Sequence, residues 1–172
     1  MNIKQKISTA LMGVFLLVAT LFTTSCLNSS TSPAVVVYGM WIDTTAIQST
    51  QTPIEIGDTL RLYLGLRGYG HQLKYVKINF DREYFKDSLF SQADLDSICT
   101  YGTDAEKGYY RFKESISDVS VMWHLIPLKA RDKQDTPFQV QMIIENDTKV
   151  DNEFNPNALS FLVLVSDSTL KK

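Results

Sequence analysis

Leu60-Arg61-Leu62-Tyr63-Leu64-Gly65-Leu66-Arg67 decides the fold of this chain. Leucine fills every even position, and arginine, tyrosine or glycine every odd one. An amphipathic helix needs apolar residues three and four apart, so this order would scatter the leucines round its axis. A strand points successive side chains to opposite faces, which gathers all four leucines on one side. The stretch therefore predicts a half-buried strand, with Leu62 and Leu64 in the core and Tyr63 outward.

Working outward, Gly68-Tyr69-Gly70-His71 is turn chemistry. Leu73 to Phe80 alternates again, with Val76, Ile78 and Phe80 inward and Tyr75, Lys77 and Asn79 outward. Upstream, Ala34 to Ile42 is a β-branched and aromatic run, and so a first strand. A polar loop over 43–53 separates it from the leucine strand. Downstream, residues 82–99 break the period of two. Ser91 and Asp94 are spaced as a capping box. Leu95, Ile98 and Cys99 then form an apolar stripe, so the reading is a short helical insert around 82–99. Tyr109 to Lys113 reads as a short strand. Val119 to Ile126 and Phe138 to Ile144 are strands, the second with Trp123-type core partners such as Val140 inward. Leu159 to Val165 is so apolar that both of its faces are expected to be covered, Phe161 included. The segments 129–137 and 146–157 are loops.

About seven strands joined mostly by turns predict a mainly β chain folded as one antiparallel β-sandwich over 34–168. The approach Gly57-Asp58-x-Leu-x-Leu-x-Leu, followed by a second alternating strand, resembles immunoglobulin-like and fibronectin-like bacterial domains. The chain lacks the cysteine pair of true immunoglobulin domains, and the helical insert is a further departure.

The N-terminus has a different logic. Lys4 and Lys6 precede the uncharged, mostly apolar Ala10 to Ala19, and Thr23 to Ser25 lead into Cys26. This is the layout of an export signal, too short to span a bilayer comfortably. A cysteine directly after a small-residue region resembles the lipobox of bacterial lipoproteins, in the looser Bacteroidetes form, with Thr23 where an aliphatic residue is usual. The resemblance implies cleavage after residue 25, lipid on Cys26, and a chain held in the outer membrane of the cell envelope. Residues 26–33 would then be the lipidated cysteine and a flexible Ser/Thr/Asn tether. That tether has no acidic residues, which favours the periplasmic side over the cell surface. Residues 169–172 are a short tail.

Removing 25 residues from 172 leaves 147, enough for one domain with a real core. The 17 basic residues fall by two and the 19 acidic ones remain, so the mature chain is mildly acidic. Nucleic acid is excluded as a partner, because phosphate binding needs a concentrated basic face. With Cys26 lipidated, Cys99 stands alone, so neither an intrachain disulfide nor a cysteine zinc site can form. Cys99 reads as a small buried hydrophobe.

Catalytic patterns are scarce. His71 lies in the glycine-rich turn, where exposure is expected, and His124 lies in a strand beside Trp123, where packing is the simpler role. No G-x-S-x-G is present, and Gly65, Gly68 and Gly70 do not open a helix that could cradle phosphate. Asp147, Asp151, Glu153 and Asn155 share one loop with the oxygen ligands calcium prefers. Pro156 stands where an EF-hand needs flexibility, so a solvated hairpin loop explains them better. No cofactor or metal is expected, and the chain is not expected to be an enzyme.

Three readings remain. The first is a non-enzymatic accessory or protein-binding module of the envelope. The second is a glycan-binding module, with Tyr63 and Tyr75 on successive strands as an aromatic platform. The plainer account of those tyrosines is cross-strand stabilisation. An unrecognised hydrolase is the third. Finally, Asp43-Thr44-Thr45, Asp58-Thr59-Leu60, Asp87-Ser88-Leu89, Asp96-Ser97-Ile98 and Asp167-Ser168-Thr169 resemble the O-glycosylation acceptor of exported Bacteroidetes proteins. Capping and turn chemistry explain the same pairs. Accessibility singles out Thr44 and Ser168 as the acceptors.

Overall fold

The computed structural model describes residues 32–131, 136–150, 153, 154 and 156–167, without the side chains of 150, 153 and 154. The signal, Cys26, Ser168 and the tail lie outside the described residues, as do Asp151 and Asn155 of the acidic loop. Among the described residues no helix is long and apolar enough to cross a membrane.

The chain is mainly β, built as two antiparallel sheets face to face. In chain order the strands are β1 (Ala34–Ile42), β2 (Thr45–Ala46), β3 (Ile54–Glu55), β4 (Leu60–Arg67), β5 (Leu73–Asn79) and β6 (Phe85–Ser88). The helix α1 (Gln92–Ile98) follows. Then come β7 (Tyr109–Arg111), β8 (Asp118–Pro127), β9 (Phe138–Asn146), β10 (Lys149–Val150), β11 (Glu153–Phe154), β12 (Asn157–Val163) and β13 (Val165–Ser166). The first sheet runs β2-β1-β4-β8-β6 and the second β12-β9-β5-β7. Without the short β2 and β7, these are the four-strand and three-strand orders of an immunoglobulin-like sandwich. Two residues of β13 pair in parallel with β3, Val165 opposite Ile54.

The leucine strand is central in the first sheet. Leu60, Leu62, Leu64 and Leu66 are all fully buried. They meet Trp123 and Leu125 from β8, and Val76, Ile78, Val140, Met142 and Ile144 from the second sheet. At about 25 cal/mol per Å² of apolar surface, this shared core is the main stabilising term. Aromatic contacts tie the layers together: the Trp123 ring lies 6.3 Å from Phe80 and 6.2 Å from Phe161.

Four expectations need correction. The first half of the helical insert at 82–99 is a strand, β6, paired with β8 from Phe85↔Pro127 to Ser88↔His124. Its alternation is hidden because Asp87, not an apolar residue, turns inward. That carboxylate is 5% exposed. It accepts from Trp123 Nε1 at 3.2 Å and from Arg82 Nη1 at 3.0 Å, which offsets the cost of burying it. Only Gln92–Ile98 is helical, opened by the expected Ser91–Asp94 capping box. Second, β12 is covered on one face only, because it is an edge strand and Leu162 points outward. Third, Phe161 is partly rather than fully buried against the core. Fourth, Tyr63 and Tyr75 do not share a surface, since β4 and β5 belong to different sheets.

Candidate functional site: the exposed side of β1

The richest surface in the molecule follows β1. In an antiparallel pair, directly opposite residues share a face, so the register reads out each face in rows. Val35 and Val37 oppose Leu66 and Leu64, while Met40 and Ile42 oppose Leu62 and Leu60. The inward set therefore changes from odd to even numbers within β1. A bulge between Val37 and Gly39 makes the change. It leaves Tyr38 and Gly39 both on the outside.

The outer face then has an orderly composition. One row across β1, β4 and β8 is Trp41, Arg61, His124, and the next is Gly39, Tyr63, Met122. Beyond them come Val36, Gly65, Ser120 and then Ala34, Arg67, Asp118. Glycine stands where rings come to rest. A Cβ on Gly39 would fall 2.4 Å from the tip of the Trp41 indole, and one on Gly65 2.6 Å from the Tyr38 hydroxyl. Missing side chains at 39 and 65 let both rings lie down on the sheet, the arrangement by which aromatics rescue strand glycines. Tyr38 and Tyr63 have ring centroids 5.4 Å apart, tilted by 49°. They are 49% and 39% exposed. Arg67 fixes Tyr38 by donating from Nε and Nη2 to its hydroxyl at 2.9 and 2.6 Å, and it also reaches Ser120 and Asp118. That hydrogen bond is the main reason the Arg67 guanidinium is held still more firmly protonated than usual.

Arg61 is different. Its Nε is buried and has no hydrogen-bond partner, and the arginine makes no ion pair among the described residues. Its row-mate His124 is pushed towards the neutral form, first by burial and then by Arg61 itself. His124 packs half-buried on this outer face, not in the core.

Round the edge of β1 from this face, an apolar cleft of about 570 Å³ opens between the sheets. Val37, Met40, Ile47, Leu62, Leu159 and Phe161 line it, with Gln48 to Thr50 at its rim and Tyr38 and Gly39 on the side that turns to the outer face. The cleft forms where β12, an edge strand, faces the outer side of β1, which the short β2 covers only at Trp41 and Ile42. Strands β1 and β12 touch at one end, where Asn157 Nδ2 donates to the Pro33 carbonyl at 2.9 Å.

Elsewhere, Tyr75 pairs with Tyr109 on the outside of the second sheet at 5.3 Å. Thr44 is exposed in the turn after β1, next to Asp43, which has left-handed backbone (φ 52°) and accepts from Thr59 N–H at 3.0 Å. His71 is partly exposed and lies 3.5 Å from Asp147. Burial pushes the Cys99 thiol up, away from the thiolate form. Among the described residues no three His, Cys, Asp or Glu side chains come together as a metal site.

Tyr38 and Trp41 were invisible as site residues in the sequence. The only signal was a glycine, Gly39, in an otherwise β-branched run, which is how a bulge announces itself. Compared with known proteins, the chain matches no family model and no curated relative.

Proposed function

We propose that this chain is a lipid-anchored, non-enzymatic accessory module of a bacterial cell envelope, and that it binds a protein partner. Cys26 behind its export signal supports the anchor, on the periplasmic side of the outer membrane. The observation that carries the binding role is the apolar cleft beside β1. It holds Val37, Met40, Leu159 and Phe161 partly open to solvent. Exposed contiguous apolar surface of this kind is what a partner's apolar side chains cover. A glycan-binding reading is favoured by a different observation, the Tyr38–Tyr63 pair.

A photo-crosslinking residue at Val37 in the native host tests the partner. It should give one discrete protein adduct that Leu159→Asp abolishes and that a crosslinker at Lys77 does not give. Equal labelling from both positions, or none from Val37, would sink the cleft as a docking site. The anchor is tested separately. Cys26→Ser should leave an uncut precursor or a soluble product. A variant of mature size that still fractionates with membranes refutes it. Thr44 and Ser168 remain proposed O-glycan acceptors. Intact mass of the native protein, corrected for acyl chains, should show a hexose-sized excess that Thr44→Ala reduces.

A further inference from the structure

The outer face of β1-β4-β8 has two unmet requirements. Its rings are uncovered: Tyr38 and Tyr63 each show solvent a large part of their surface, tilted into a shallow V rather than a flat floor. Its charge is also unmatched. The one acid in these rows, Asp118, faces Arg67, which leaves Arg61 with a buried, unpartnered Nε. The body as a whole is acidic, so this one unmatched arginine is a local feature.

We propose that this face binds an acidic saccharide, with Tyr63 and Tyr38 stacked against sugar rings and Arg61 taking a ring carboxylate. The proposal rests on reading the body as a binding module but not on the lipid anchor, and it shares Tyr38 and Gly39 with the cleft. A sugar ring presents a face of C–H groups, and burying it on an aromatic ring gains apolar contact. It also presents hydroxyls that need partners. The Tyr38 hydroxyl, held as an acceptor by Arg67, still has its own proton to donate, and Ser120 adds a second hydroxyl. A neutral sugar would satisfy the rings and leave Arg61 unpaired. A carboxylate alone would pair Arg61 and leave the rings wet. A uronate unit meets both needs.

The spacing agrees. Tyr63 and Arg61 are two residues apart on one strand, so about 7 Å separates their Cα atoms along the face. That is within the combined reach of a ring-borne carboxylate and an arginine side chain. With Nε buried, Arg61 would meet a carboxylate end-on, through its two Nη groups as parallel N–H donors. Glycine builds part of the floor, since a bare Cα at 65 lets Tyr38 settle and one at 39 lets Trp41 settle beside it. Trp41, beside Arg61 in the first row, gives a built-in optical probe, and the only other tryptophan, Trp123, is fully buried.

The test is titration of the full chain in detergent, followed by calorimetry and by tryptophan fluorescence. The probes are hexagalacturonate, its methyl ester and a six-residue polyglutamate. Hexagalacturonate should bind at least tenfold more tightly than the ester, and polyglutamate should not compete. Tyr63→Ala should weaken binding at least tenfold while lowering the melting temperature by no more than a few degrees. Arg61→Gln should make acid and ester bind alike. Lys77→Gln, on the other sheet, should leave affinity unchanged. Failure of hexagalacturonate to bind overturns the proposal. Equal binding by polyglutamate also overturns it, by showing an acidic-peptide surface instead. A soluble Cys26→Ser product that binds normally would separate the site from the anchor, so the anchor can fail without this proposal.

Discussion

Each sheet of the sandwich carries a pair of touching tyrosines on its outer face, and the two pairs are built differently. In the first, Tyr38 rests over Gly65 beside Tyr63, with an arginine clamped on its hydroxyl. Tyr75 and Tyr109 have no glycine floor, and the neighbour that faces Tyr75 is an acid. Burial first, and Glu145 second, push the Tyr75 hydroxyl up. Ring separation is almost the same in both pairs, 5.4 and 5.3 Å. The difference lies in what the rings stand on and which charge stands beside them. Outward tyrosines at alternate strand positions are therefore not a site in themselves. Floor and counter-charge decide whether a pair offers a surface to a ligand or only joins two strands.

The comparison can be broken first at β4. Leu62→Ala should cost about 2–5 kcal/mol, because it empties a fully buried position. Tyr63→Ala, one residue away and outward, should cost about 1 kcal/mol or less. Urea denaturation of the two variants measures the contrast. Similar losses would mean that the outer face is structural and would remove the distinction on which the site rests.

The second sheet has an equivalent contrast at β7, between outward Tyr109 and inward Tyr110. Burial, with Asp87 as the next cause, pushes the Tyr110 hydroxyl up to about 12. A raised folded value means that its contribution is complete below the unfolded value near 10 and is lost as pH rises through the folded one. Two units correspond to about 3 kcal/mol. The wild-type chain should thus lose stability steeply between about pH 10 and 12, and Tyr110→Phe should flatten that loss. An unchanged alkaline slope in the variant would show that some other group carries it.

The smallest effect is the sharpest discriminator between the pairs. Tyr38→Phe removes the acceptor of two Arg67 hydrogen bonds at an exposed site, for about 0.5–1 kcal/mol at neutral pH. Tyr75→Phe should change neutral-pH stability less, and should mainly reduce the loss above pH 10, since Tyr75 is also raised. If the two variants behave alike across pH, the charge beside each pair has no bearing on it.

Much of this was legible in residue order. The alternation of Leu60 to Leu66 names its buried face outright, and Ser91 with Asp94 names the start of α1. Where the pattern failed, a specific residue hid it. Asp87 turned inward on the strength of Trp123 and Arg82, partners 36 and 5 positions away, so β6 lost its apolar rhythm. Alternation also says whether a tyrosine faces in or out, but not which sheet it belongs to. That is why Tyr63 was matched with Tyr75 rather than with Tyr38. Tyr38 itself sits in the bulge, where counting by twos breaks down.

That bulge also limits how this protein can change over time. Tyr38 is the extra residue, so removing it would bring Val37 and Gly39 together opposite Leu64 and Tyr63, and every other residue of β1 would keep its face. The cost would be Tyr38 itself and the acceptor that holds Arg67. Removing one residue elsewhere in β1 while the bulge stays would invert one side of the strand, turning Trp41 inward or Val35 outward. Related chains should therefore lose a single residue of β1 at position 38 or nowhere.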